Sequence, residues 1–124
     1  MNVVKLFRKW DAREEYEAGD VIFSEREPAE VMYVVLSGEV ELTLHGASLG
    51  IEGEGGIIGE MAVIDAGIRS ATATARSKVE LACLDQDQFR KMVRDNSKFS
   101  LHAMTVFANR LRSVDAYIST RLEP

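Results

Sequence analysis

Gly59-Glu60-Met61-Ala62, followed by Asp65-Ala66-Gly67-Ile68 and then Arg69-Ser70-Ala71-Thr72-Ala73-Thr74-Ala75, places one acid and one base around a turn of small residues. A short apolar helical turn that begins at Gly59 aims free backbone N–H groups outward at its start, which is the geometry that binds phosphate. Arg69, just beyond the loop, can add a two-pronged charged contact to the same anion. Glu60 is the odd member, because a carboxylate repels phosphate but accepts a hydrogen bond from a sugar hydroxyl. A ligand with one phosphate, one ribose hydroxyl and an apolar base satisfies all three features.

The flanking sequence reads as β structure. Glu39-Val40-Glu41-Leu42-Thr43-Leu44 alternates polar and apolar before a His45-Gly46 turn, and Ser70, Thr72 and Thr74 alternate with Ala71, Ala73 and Ala75. Short strands with Gly-rich turns between them predict a sandwich or roll. The small side chains of the last strand keep space open beside it, with Ser70 or Thr72 still able to donate a hydrogen bond. Helical periodicity takes over after Asp85. Asp85-Gln86-Asp87-Gln88 has the form of a reciprocal cap ahead of Phe89, Met92 and Val93. In a second helix Leu101, Met104, Ala108, Leu111, Val114, Ile118 and Leu122 recur at spacings of three and four, up to Pro124. The first half of that stripe is expected to pack on the roll. From Arg112 onward, a paired helix of a second subunit is the expected cover. At the other end, Val3, Leu6, Phe7 and Trp10 also stand at helical spacing.

Composition narrows the function. The 124 residues predict one domain, 1–124, able to bury a core without metals or disulfides. Fifteen basic and twenty acidic side chains give a net charge of −5, a poor basis for the counterion release that drives DNA binding, so no nucleic-acid partner is expected. Cys83, the one cysteine, sits in the alternating run Val79-Glu80-Leu81-Ala82-Cys83-Leu84 and reads as a buried structural thiol. His45 and His102 lack a second ligand at metal spacing, and no nucleophile stands near a base. No metal, no cofactor and no catalytic residue is expected. Charges interrupt the start before any signal-peptide core, so the expected location is cytoplasmic, with no membrane partner.

The quoted residues resemble the phosphate-binding cassette of the cyclic nucleotide-binding domain family, written there approximately as G-E-apolar-A, a short spacer, then R-(S/T/A)-A-T. Gly59, Glu60, Met61, Ala62, Arg69, Ser70, Ala71 and Thr72 match it, with the spacer of the kinase regulatory-subunit branch. The resemblance extends through Ala18-Gly19-Asp20-Val21-Ile22-Phe23, through Val31 to Val40 and through the Gly-rich run Gly50 to Gly59, roughly residues 15 to 112 in all. Two positions depart from the pattern. The turn at Ser24-Glu25-Arg26-Glu27-Pro28 lacks the family's frequent glycine, and Ile68 stands where a proline is common.

What the resemblance implies is a mainly β fold with flanking α-helices: a β-roll (jelly-roll, or double-stranded β-helix) over about 15–84, an N-terminal helix, and C-terminal helices over about 85–122. It also implies that Arg69 neutralises a cyclic phosphate whose shell is completed by the backbone N–H groups of Met61, Ala62 and Ser70. Glu60 with Gly59 then holds the ribose 2′-hydroxyl, Thr72 adds a further polar contact, and Ile58 lies close to the pocket wall. The implied ligand is a cyclic purine mononucleotide, cAMP or alternatively cGMP. Ser70 stands where the family tends to carry Ala in cAMP binders and Thr in cGMP binders. The implied role is a regulatory sensor that signals through its C-terminal helix to an unidentified effector protein, with lid residues between Ala108 and Tyr117 and a homodimer through that helix. The alternative is a ligand-free structural or interaction protein of the same fold that uses the helix for partner binding or dimerisation.

Overall fold

Runs of two to seven residues, most of them apolar or alternating, fold here into short strands, and the periodic C-terminal third folds into helices. The computed structural model describes residues 3–64 and 67–122, so Asp65 and Ala66 of the spacer and Pro124 lie outside the described residues. A 3-10 helix, Val3–Phe7, leads into strands β1 (Arg13–Tyr16), β2 (Val21–Phe23), β3 (Val31–Ser37), β4 (Val40–Leu44), β5 (Ala47–Glu52) and β6 (Ile57–Ile58). Helix α1 (Met61–Ile64) follows, then β7 (Thr72–Ala75), β8 (Val79–Asp85), α2 (Gln86–Asp95) and α3 (Ser97–Leu122).

The strands form two four-stranded sheets, ordered β1-β8-β3-β6 and β2-β7-β4-β5, and all named pairings are antiparallel. Together they make the expected β-roll. Between the sheets lie Tyr33, Val35, Val40, Leu42, Ala73 and Leu81. The outer face of the first sheet carries Met32, Val34, Leu36, Ala82 and Leu84, covered by Phe7, Phe99, Ala103 and Val106. A strand buried on both faces needs apolar residues at every position, which is why β3 reads as the unbroken run Met32 to Leu36. In β8, Val79, Leu81 and Cys83 share the inner face as expected, while Ala82 and Leu84 supply a second buried face.

The reciprocal cap at Asp85 forms. Its carboxylate accepts the Gln88 N–H at 2.8 Å, and the Gln88 side chain accepts the Asp85 N–H at 2.9 Å. Phe99 meets Phe7 and Phe89 edge to face at centroid separations of 6.0 and 6.2 Å, so the N-terminal segment and both C-terminal helices share one aromatic joint. At the N-terminus Val3 and Phe7 are buried, whereas Leu6 is exposed.

One expectation about α3 is corrected. Leu101 and Met104, taken as the roll-facing half of the stripe, are 63% and 59% exposed. The docked face is Phe99, Ala103 and Val106, rotated around the helix from that stripe, because small Ala103 lets the helix approach the sheet closely and aromatic Phe99 fills the joint. Leu111, Ile118 and Leu122 are exposed as well. None of the helices in the described residues is long and apolar enough to cross a membrane.

Candidate functional site

Between the second sheet and α3 lies a cavity of about 430 Å³. Leu42, Leu44 and Leu49 form one apolar wall, and Phe107, Leu111 and Val114 of α3 form the opposite one. Its polar end is built by Gly59, Glu60, Arg69, Ser70 and Arg110. A charged end and a greasy end in one cavity suit an amphipathic ligand of small size.

Arg69 is only 5% exposed. Its Nη1 donates to the carbonyls of Val31 at 2.7 Å and Gly59 at 3.2 Å. Its guanidinium carbon lies 4.2 Å from the centre of the Phe23 ring and 5.4 Å from that of Tyr33. A Cβ at Gly59 would collide with the same Nη1, and the φ of +72° there favours glycine independently. The arginine is therefore locked in place by backbone carbonyls and ring faces, but it has no ion-pair partner among the described residues. Burial lowers its pKa, against the pull of the Tyr33, Glu27, Glu14 and Glu60 charges. A buried cation without a counter-ion that lines a cavity can take an anion there.

Glu60 is 8% exposed and is paired, though not with Arg69. Arg110, projecting from α3, donates from Nη1 to Glu60 Oε1 at 2.6 Å. From Nη2 it donates to Glu52 Oε1 at 3.0 Å and to the Ile57 carbonyl at 2.6 Å. Burial raises the Glu60 pKa, Arg110 opposes that rise, and the nearby Glu52 charge adds to it. One helical side chain thus ties α3 to the acid of the cassette. A second polar tie, from His102 Nε2–H to the Gly55 carbonyl at 2.5 Å, fixes the same helix to the preceding loop.

The structure brings Gly59, Glu60, Met61, Arg69 and Ser70 together at the cavity. Three expected site residues sit elsewhere. Thr72 alternates away from the inward-facing Ala71 and Ala73, and its hydroxyl accepts the Glu25 N–H at 3.1 Å. Ile58 is fully buried between the sheets and paired in register with Tyr33, so it is core. Ala62 packs its side chain against the outer core, and its N–H closes the turn onto the Gly59 carbonyl at 3.2 Å, which removes it from the expected ring of free donors. Helix α1 is only four residues long, so its dipole adds little to the Arg69 charge.

Sequence reasoning missed Arg110, Glu52, Phe23 and Phe107. The signal for Arg110 was its position seven residues after Ala103, which puts a charged residue on the buried face of α3. Among the described residues no group of three His, Cys, Asp or Glu could hold a metal ion. Cys83 is buried and donates to Glu14 at 3.3 Å, and its pKa is pushed up to about 12, first by burial and then by that carboxylate. An unreactive thiol follows.

Comparison with known proteins bears on the same residues. The cyclic nucleotide-binding domain model matches residues 13–96. A CRP-like cAMP-activated global transcriptional regulator of Mycobacterium tuberculosis is 29% identical over 79% of this chain and 46% of its own length. The cyclic AMP receptor protein of Thermus thermophilus is 32% identical over 90% of this chain and 54% of its own. The chain therefore spans about half the length of the curated relatives it matches. A crystal structure of the Thermus thermophilus catabolite activator protein superimposes with a TM-score of 0.72 at 30% identity, over 94% of this chain and 57% of that one. The matched segment runs from β1 through the cassette to the end of α2, most of the chain, and the chain belongs to the cyclic nucleotide-binding domain family.

Proposed function

We propose that the chain binds a cyclic purine mononucleotide, cAMP in preference to cGMP, and acts as a regulatory sensor module that signals through α3. The observation that carries this reading is Arg69: a 5% exposed cation, fixed on carbonyls and rings, without an ion-pair partner among the described residues, at the polar end of an otherwise apolar cavity. A cyclic phosphate supplies the missing charge. Glu60 offers its carboxylate to the ribose 2′-hydroxyl, and the leucine wall with Phe107 and Val114 covers the base. Those walls present no polar side chain, which favours adenine over guanine because guanine would bury more unpaired polar edge atoms.

The signal follows from Arg110. Any ligand that touches Glu60 also touches the hydrogen bonds holding α3, so the helix position and ligand occupancy are coupled through one residue. The exposed stripe Met104, Leu111 and Ile118 at seven-residue spacing supports a homodimer through α3, with an effector protein as the receiver of the helix movement. With its net negative charge, this chain is not expected to grip duplex DNA by itself. The alternative reading, an interaction protein without a ligand, rests on that stripe alone.

Melting the protein with and without cAMP separates the two readings. Saturating cAMP at a hundredfold excess over Kd should stabilise the fold by about 2.7 kcal/mol. An unchanged melting curve at millimolar cAMP and cGMP would leave only the interaction reading.

A further inference from the structure

Glu52 ends β5 directly opposite Val40, on the register that faces the roll interior, a position where the neighbouring strand residues are apolar. Its side chain is 24% exposed. The backbone makes room for it: a Cβ at Gly56 would come within 2.6 Å of Glu52 Oε2 and 2.8 Å of Glu52 Cβ, although the φ of Gly56 lies outside the left-handed region. The same Cβ would meet the Gly53 carbonyl oxygen at 2.9 Å, so glycine at 56 lets the loop pack against both that backbone and Glu52. The carboxylate in turn accepts from Nη2 of Arg110, while Nη1 of the same guanidinium goes to Glu60 Oε1. Glu60 Oε2 is left without a side-chain donor among the described residues.

Resting on the nucleotide reading of the cavity, we propose that Glu52 is the positioning residue for ribose recognition: it fixes the Arg110 fork so that Arg110 claims only Oε1 of Glu60 and turns Oε2 toward the cavity for the 2′-hydroxyl. A guanidinium is planar, and two carboxylates on its two terminal nitrogens set its orientation in a way that one carboxylate does not. Without Glu52, Nη2 of Arg110 keeps only the Ile57 carbonyl, an uncharged acceptor, and the guanidinium can turn to take both oxygens of Glu60 in a fork-to-fork pair. The acceptor for the ribose is then lost although neither Glu60 nor Arg110 has changed.

The test compares cAMP with 2′-deoxy-cAMP by calorimetry on the full chain and its Glu52→Gln variant. Wild type should prefer cAMP about tenfold, the size of one hydrogen bond to a charged group. In Glu52→Gln that preference should fall to about twofold, with 2′-deoxy-cAMP affinity nearly unchanged. A residue that merely stabilised the fold would weaken both ligands together. Adding Glu52→Gln to Arg110→Gln should cost no further ribose preference, because Glu52 acts through Arg110. Full preference retained in Glu52→Gln, equal weakening of both ligands, or additive loss in the double variant would each overturn the proposal. Wild type that binds neither nucleotide would sink the reading of the cavity itself, an outcome distinct from binding that ignores Glu52.

Discussion

Replacing Arg110 by glutamine leaves Glu60 8% exposed with no cationic partner, and the cost can be worked from the contacts. The pair is mostly buried, with side-chain exposures of 16% for Arg110 and 10% for Glu60. Removing one member of a buried pair costs about 3–5 kcal/mol, and each charged hydrogen bond is worth about 1.5–3 kcal/mol. Because Glu60 also borders the cavity and can regain some solvent, we expect a loss of about 2–4 kcal/mol at about pH 8. The loss should depend on pH with a definite sign. Burial already holds the Glu60 carboxyl above its ordinary 4.5, and Arg110 is the main force opposing that rise. In the variant the folded carboxyl keeps its proton to still higher pH than the unfolded one. A group with a raised folded pKa contributes stability below its unfolded value and loses it as pH rises through the folded value. The penalty of Arg110→Gln should therefore shrink toward about pH 5 and be largest at alkaline pH. Urea unfolding at both pH values, with m compared to detect a change in the denatured state, measures it. Equal penalties at the two pH values, or none at either, would refute the argument that this helix is held by a buried ion pair.

Other expectations concern the thiol, the base and the helix stripe. Cys83, with a pKa pushed to about 12 against an ordinary 9.0, should react with iodoacetamide roughly a thousandfold slower than a free thiol near neutral pH, and rapid labelling of native protein would contradict its burial. The Tyr33 hydroxyl is likewise held up to about 12, so proton loss from both groups opposes folding and stability should fall as pH rises from about 9 to about 12; a flat alkaline melting profile would speak against this. Ser70→Thr should shift the cAMP to cGMP affinity ratio toward cGMP by about 1 kcal/mol, one net hydrogen bond, and no shift would remove Ser70 from base selection. Ile118→Glu combined with Leu122→Glu should halve the mass seen by light scattering while leaving cAMP affinity intact, whereas a monomeric wild type would dispose of the self-contact.

The cassette was legible because its chemistry is local. Glu60, Arg69 and Ser70 fall within a dozen residues, and a buried arginine beside a glycine with φ of +72° leaves a sequence pattern. The roll was legible for the same reason, through alternation in β4 and the two-faced apolar run of β3. What stayed hidden depends on tertiary approach. Arg110 reaches Glu60 across fifty residues and Glu52 across fifty-eight, and nothing local marks either carboxylate as its partner. The first half of the α3 stripe misled because Leu101 and Met104 are exposed, while the docked face uses small Ala103 and includes charged Arg110. Thr72 turns away from the cavity through register, since one residue along a strand changes the face, whereas Ile58 is drawn into the core between the sheets.

Calorimetric titration of the wild type and of Arg69→Ala with cAMP tests whether the buried arginine holds the cyclic phosphate. The wild type should show saturable one-site binding, weakened about hundredfold or more in the variant because the phosphate loses its charged, geometrically fixed partner. Equal affinities in the two proteins, or no heat of binding from the wild type, would contradict it.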